Sequence, residues 1–166
     1  MNQVVVSNST PLIALARIRR LDLLPALYGD VLVPLEVWNE LVVRGRGYPG
    51  AAEIRDATWI ATKTVRYRDR VIQLAAVLDQ GEAEAIALAI EHDARLVLLD
   101  DRSARREALR RGLHVQGTLG ILLRAKRLGL VPALAPVMDA LRHDAGFYFA
   151  ESLRRRVLEA AGEGEA

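Results

Sequence analysis

The stretch "RLVLLDDRSARREA", residues 95–108, decides how the rest of the chain is read. Leu96, Val97, Leu98 and Leu99 are consecutive apolar residues, and a short run of this kind between polar residues reads as a strand buried on both faces. Asp100 and Asp101 stand where that strand emerges, and "RSARREALRR" continues as a helix closed by Gly112. Two adjacent negative charges at such a junction have two physical readings. Aspartate is a favoured helix N-cap and suits the positive end of a helix. Paired carboxylates at the edge of a core also form a seat for a cation.

The same grammar extends outward in both directions. "QVVVS" (3–7), "DVLVP" (30–34) and "LHVQG" (113–117) are further short strands, and "TWIATKTV" (58–65) alternates as a strand should. Helices are predicted from Pro11, over "RLDLLPALYG" to Gly29, from Pro34 to near Gly45, over a short stretch after Gly50, over 68–79 and from Gly81 to Asp93. From Thr118 the chain reads as wholly helical through "FYFAESLRRRVLEAA", and the tail "GEGEA" is expected to fray. Strands alternating with helices imply an α/β fold, a mostly parallel central sheet with helices on both faces and extra C-terminal helices. No internal repeat or low-complexity linker marks a second folding unit.

Composition narrows the chemistry. Apolar residues make up 51% and charged residues 27%, and no apolar run approaches the ~20 residues that span a bilayer. "MNQVVVSNST" lacks a basic segment leading into an apolar one, so no signal peptide is expected and the cytoplasm is the expected compartment. The chain has no cysteine, which excludes thiolate metal sites and disulfides. His92, His114 and His143 show no ligand spacing and read as surface or loop residues. Any metal must therefore be held by oxygen. Net charge is only +2, yet Lys63 and Lys126 are the sole lysines among 23 basic residues, so arginine dominates. Arginine forks suit phosphates and surface ion pairs alike.

Open α/β sheets bind ligands outside the carboxyl ends of their strands, at the topological switch point. Asn8 lies just past the first strand, and Asp100 and Asp101 just past a later one; if these strands are neighbours, the three converge. Glu82 opens a helix whose inward face is Ala85, Ile86 and Ala89, so its carboxylate can tip toward the same crevice. Glu84 lies about 200° round that helix from Glu82 and faces elsewhere. Glu40 sits on an apolar-rich helix beside Val37 and Leu41, where an unpaired carboxylate is costly. Clustered carboxylates repel and call for a hard cation such as Mg²⁺ or Mn²⁺, which can activate water against a phosphodiester. Each acid has a plainer role open to it: Glu82 at a helix dipole, Glu40 paired with Arg44, Asp101 with Arg105. Asp22, Asp30, Glu36 and Asp79 read as caps and surface charges. Arg102, Arg106 and Arg110 recur every four residues, a stripe that suits RNA phosphates or a solvated face balanced by Asp101 and Glu107. Tyr67 is the one aromatic interleaved with arginines. A phosphohydrolase with Asp100 as nucleophile would need a Gly-rich phosphate loop or a placed lysine, and neither is evident.

"VVVSNSTPLIALARIRRLDLL", "VPLEVWNEL", "LDQGEAEAIALA", "RLVLLDDRSARREA" and "VQGTLGILLRAKRLGLV" occur in an order that resembles the PIN-domain superfamily, in its VapC-like branch DUF3368. The resemblance spans residues 3 to about 142, so it implies a PIN-like domain over 1–142 with 143–166 as a C-terminal helical extension. It implies a Mg²⁺- or Mn²⁺-dependent endoribonuclease of toxin type, with RNA as substrate, a small antitoxin protein as partner and a homodimer as the expected assembly. The family's acids fall at Asn8, Glu40, Glu82 and Asp100, with Asp101 as an additional ligand and Thr10 placed to orient a water. Family nucleases usually carry Asp where this chain has Asn8, which removes one charge and implies weakened catalysis. The alternative is a non-catalytic PIN-like module that binds RNA or protein through the same crevice. Phe149, Leu153 and Val157 recur every four residues; that face packs on the domain, on a second subunit or on an antitoxin segment.

Overall fold

The computed structural model describes residues 3–164. The short apolar runs form five strands: β1 (Val5–Ser7), β2 (Val31–Pro34), β3 (Ile60–Lys63), β4 (Leu96–Leu98) and β5 (Val115–Gln116). They lie in the order β3-β2-β1-β4-β5, and every pairing is parallel. Parallel neighbours need long crossovers, which helices supply. These are α1 (Ser9–Arg17), α2 (Leu23–Tyr28), α3 (Leu35–Trp38), α4 (Ala51–Asp56), α5 (Arg68–Ala75), α6 (Gln80–Glu91) and α7 (Arg102–Arg110). Three more, α8 (Thr118–Arg127), α9 (Leu134–His143) and α10 (Glu151–Ala160), are the extra C-terminal helices. The fold is α/β, with a parallel central sheet and extra C-terminal helices, as expected.

Alternation along the strands divides the interior into two cores. Val5, Val31, Val33 and Leu98 pack on one face with Leu12 and Leu15 of α1, Ile121 of α8 and Met138 of α9. Val6, Leu32, Val97 and Leu99 pack on the other with Ile86 and Ala89 of α6 and Ala104 of α7. The alanines of α6 let it lie against β1, β2 and β4 together. Its inward face is buried as expected, but so is Glu84 on the far side, because α5 covers it. Arg68 at the start of α5 grips Glu84 through both guanidinium ends at 3.0 and 2.6 Å.

Two elements differ from their predicted form. The helix from Pro34 to Gly45 is two pieces, α3 and then a wider π-helical segment, Asn39–Arg44, that carries Glu40. π-Helical turns are rare and recur at functional sites. The last predicted helix begins only at Glu151. Gly146 has a left-handed φ of 64°, which ends the preceding helical path, and Phe147 to Ala150 then run without helix. Here side chains alternate: Phe149 is buried at 5% exposure while Tyr148 is 88% exposed.

The last segment joins the first core. Phe149 and Leu158 are buried with Val5 and Leu12, and the Arg142 guanidinium lies 4.4 Å from the Phe149 ring centre. Leu153 and Val157 pack against that core as well. In the segment read as a fraying tail, Glu163 accepts hydrogen bonds from the backbone N–H groups of Leu134 (2.7 Å) and Ala135 (3.2 Å), at the start of α9. Glu165 and Ala166 lie outside the described residues. Among the described residues, no helix is long and apolar enough to cross a membrane.

Candidate active site

β1 pairs with β2 on one side and with β4 on the other, so the chain reverses its direction of growth across the sheet at β1. That is the switch point, and the carboxyl ends of β1 and β4 deliver Asn8 and Asp100 to it. Ser7 stands opposite Leu98, and the Asn8 N–H donates to the Leu98 carbonyl at 3.1 Å. The neighbour relation on which convergence depended is therefore present.

Asn8 occupies the N-cap position of α1 in an extended conformation, yet its side chain makes no capping hydrogen bond. Its Oδ1 is buried and has no hydrogen-bond partner among the described residues. A buried carbonyl left unpaired costs about 1–3 kcal/mol, so such an atom in a native fold calls for an explanation. Its surroundings supply one. A Cβ at Gly81 would sit 3.2 Å from Asn8 Oδ1 and 3.7 Å from Asp79 Oδ1. Glycine at the first turn of α6 is thus what allows Asn8 to approach the acids at that helix end.

Glu82 belongs to a reciprocal cap. Its N–H donates to Asp79 Oδ1 at 2.8 Å, and the Asp79 N–H donates to Glu82 Oε2 at 3.1 Å. This is the S/T/D-x-x-E signature of a helix start, met here by "DQGE". Burial pushes the Glu82 carboxyl above the usual range; the Asp79 and Asp101 charges push it further, against the backbone bond from Asp79. Glu82 therefore lies within reach of the Asp101 charge.

Asp101 is the N-cap of α7, its Oδ2 accepting from the Ala104 N–H at 3.0 Å. Capping is thus one role of Asp101 in fact, and it leaves the other oxygen outside that bond. Asp100 is turned the other way. Its Oδ1 accepts from the Thr118 N–H at 2.8 Å and its Oδ2 from the Thr118 hydroxyl at 2.6 Å. Burial raises the Asp100 carboxyl above the usual range, opposed by the Thr118 bonds and the Arg105 charge. Thr118, fully buried, is a site residue the sequence reading did not single out. The signal was available in "QGT", where a strand ends and a helix begins.

The remaining candidates are spread around this centre. Glu40 is exposed and lines a groove of about 310 Å³ with Arg17, Arg44 and Tyr48, whereas Asp100 lines other cavities. Thr10 is exposed in the first turn of α1. Arg102, Arg106 and Arg110 are exposed and, with Asp100, Arg105 and Leu109, line a cavity of about 720 Å³. Glu107 pairs with Arg110 and Arg111 at 3.3 and 3.1 Å; among the described residues Arg102 and Arg106 have no ion-pair partner. Tyr67 is exposed with the Arg66 and Arg70 guanidinium groups each 5.9 Å from its ring centre.

Among the described residues no three His, Cys, Asp or Glu side chains stand close enough together to hold a metal ion. The donor chemistry at the switch point is nevertheless all oxygen: an unpaired amide carbonyl at Asn8, the Glu82 carboxylate and the uncommitted oxygen of Asp101. These groups fit a hard divalent cation and no soft one.

No curated protein and no solved structure matches the chain. A family model described as DUF3368, PIN domain, matches residues 4–163, a span that runs through α10. The chain therefore belongs to the PIN-domain family DUF3368.

Proposed function

We propose that the protein is a divalent-metal-dependent ribonuclease of VapC-like toxin type, working at the carboxyl edge of β1 and β4. The observation that carries this reading is the buried, unpartnered Oδ1 of Asn8 against Gly81 and Asp79, at the start of the helix that carries Glu82 and at the switch point of a PIN-domain sheet. PIN domains are typically nucleases that use divalent metals. Asn8, Glu82 and Asp101 would hold Mg²⁺ or Mn²⁺, with Asp100 next to Asp101 at the end of β4; Glu40 lines a separate groove and would have to turn inward to join them. When bound, such a cation supplies Lewis-acid polarisation of a phosphodiester and a lowered pKa for water.

The chain's own groups have distinct tasks in this reading. Glu82 carries charge that its neighbours oppose, so it favours an opposite charge in the crevice. Thr118 and Arg105 hold Asp100 in one orientation. Thr10 positions water at the start of α1, and Arg102, Arg106 and Arg110 engage RNA phosphates on the exposed side of α7. A small antitoxin protein would cover the crevice in the cytoplasm, and the expected assembly is a homodimer.

The test is cleavage of structured and single-stranded RNA by the purified chain in Mg²⁺ or Mn²⁺, with Glu82→Gln as the inactive control. Cleavage that persists equally in Glu82→Gln would assign the activity to a contaminant. A second reading, a non-catalytic RNA- or protein-binding PIN module, is favoured by one observation: Asn8 stands where family nucleases have Asp. RNA binding without cleavage, in metal and at any pH, would establish it.

A further inference from the structure

A second cavity shares Asp100 and Arg105 with the one that carries the arginine stripe. It has a volume of about 480 Å³, within the range of pockets that hold small organic groups. Leu119 and Leu123 of α8, Leu153 and Val157 of α10, and the rings of Phe147 and Phe149 form its apolar walls. The two rings stand 6.5 Å apart between centres, tilted by 43°. Phe149 is fixed by burial and by the Arg142 guanidinium over its face, while Phe147 is only half-buried. One aromatic ring is thus anchored and the next is available at the wall.

The mouth of this slot is polar. Asp100 and Arg105 line it, and they also line the cavity that carries Arg102, Arg106 and Arg110. Gly117 leaves room beside these two side chains: a Cβ there would stand 3.0 Å from Asp100 Oδ1 and 3.5 Å from an Arg105 guanidinium nitrogen. One carboxylate–guanidinium edge therefore separates an aromatic slot from a cationic trough. A ligand that satisfies both sides carries regular negative charge and, one step away, a flat apolar face with polar edges. Single-stranded nucleic acid has that chemistry, since each phosphate is followed by a base that can unstack. The exposed arginines without carboxylate partners complement its backbone.

We propose that this slot receives one unpaired nucleobase of a single-stranded RNA whose phosphates lie along α7, stacked on Phe147, with its edge toward Asp100 and Arg105. The assignment rests on the RNA reading above and deepens it by naming a base-binding subsite. It makes Phe147 a specificity-determining residue rather than a catalytic one.

The experiment uses the full chain in EDTA, so that no cleavage occurs, and short oligoribonucleotides in which 2-aminopurine replaces one base at a time. Fluorescence anisotropy of an end label reports RNA binding, and 2-aminopurine emission reports stacking. The expected result is quenching at one position in the bound state and about tenfold weaker binding in Phe147→Ala, within the contribution of a single base–aromatic stack. Phe147→Leu keeps the apolar volume, guards against a folding defect, and should also lose the quenching. Phe147→Tyr should retain it. Bound RNA with no quenching at any position, or with quenching unchanged in Phe147→Leu, overturns the subsite and leaves the RNA reading standing. Absence of any anisotropy change overturns both. A native dimer in sedimentation that Phe147→Ala dissolves would make the slot a subunit contact. A leucine- and glutamate-rich helical peptide that binds the slot and resists displacement by RNA would make it a protein-docking groove; either result overturns the proposal.

Discussion

Thr118 gives Asp100 both of its near donors, the backbone N–H to one carboxylate oxygen and the hydroxyl to the other, at 2.8 and 2.6 Å. The pair ties the end of β4 to the start of α8 across 18 residues of sequence. Thr118→Val removes the hydroxyl and leaves a buried methyl against a carboxylate. The expected loss is about 1.5–3 kcal/mol, the range for hydrogen bonds to charged groups, read by urea denaturation. Thr118→Ser should recover most of it. Equal losses in the two variants would locate the effect in packing.

Asn8→Asp should have opposite effects with and without metal. In EDTA a new carboxylate near Asp79 at the start of α6 adds repulsion in a buried position, so the melting temperature should fall. In Mn²⁺ the same charge attracts the cation, and affinity measured by calorimetry should rise about tenfold, equivalent to about 1.4 kcal/mol. RNA cleavage should strengthen with it. A variant that binds Mn²⁺ no more tightly than the native chain removes the crevice from consideration as the metal site.

Tyr28 supplies a pH test away from the acids. Burial pushes its phenol up to about 12, against the Arg124 and Arg95 charges, and its hydroxyl meets the Gln116 side chain. Because the folded value lies above the ordinary one near 10, the fold favours the neutral phenol. That stabilisation is complete below pH ~10 and is lost as pH rises toward about 12. Phenolate absorbance should show a late step near that value that Tyr28→Phe removes.

Glu163 responds in the other direction. Burial works to raise its carboxyl, but the Leu134 and Ala135 N–H groups and the Lys126 ammonium together hold it below the usual range. A depressed folded value means stability that is present above the unfolded value and lost as pH falls through the folded one. Glu163→Ala should release the start of α9 at a cost of about 0.5–1 kcal/mol near neutral pH, a typical value for a carboxylate at a helix N-terminus. The difference between native and variant should vanish in acid. A difference that persists below that range would point to packing.

Much of the fold was legible because its central strands are short, mostly apolar runs and several helix starts carry ordinary signals. Asp79 and Glu82 form the capping box that "DQGE" spells, and Leu96 to Leu98 form the strand that the apolar run before Asp100 predicts. The convergence of Asn8 with the β4 end hinged on one pairing, β1 with β4, which local sequence does not specify. Thr118 escaped notice because its partner is distant along the chain. The extended run at Phe147 was hidden by a coincidence of periods: Phe149, Leu153 and Val157 fit a helix, while Phe147, Tyr148 and Phe149 alternate as an extended segment does. Asp101 posed a choice between cap and ligand that geometry dissolves, since one oxygen caps α7 and the other is left over.

The pairing of Val5 with Leu96 has a consequence for the order in which the protein is made. The two halves of the crevice are the first and fourth strands of a chain synthesised from its N-terminus, and they meet only by closing a loop that long. Contacts between such distant residues are slow to form, because the entropy of closure is lost before the contact is gained. A ribosome-bound chain that ends before β4 already holds Asn8 and Glu82 but has no strand to set Asp100 beside them. Any activity seated in this crevice is therefore switched on late in translation, after the fourth strand has left the exit tunnel and docked.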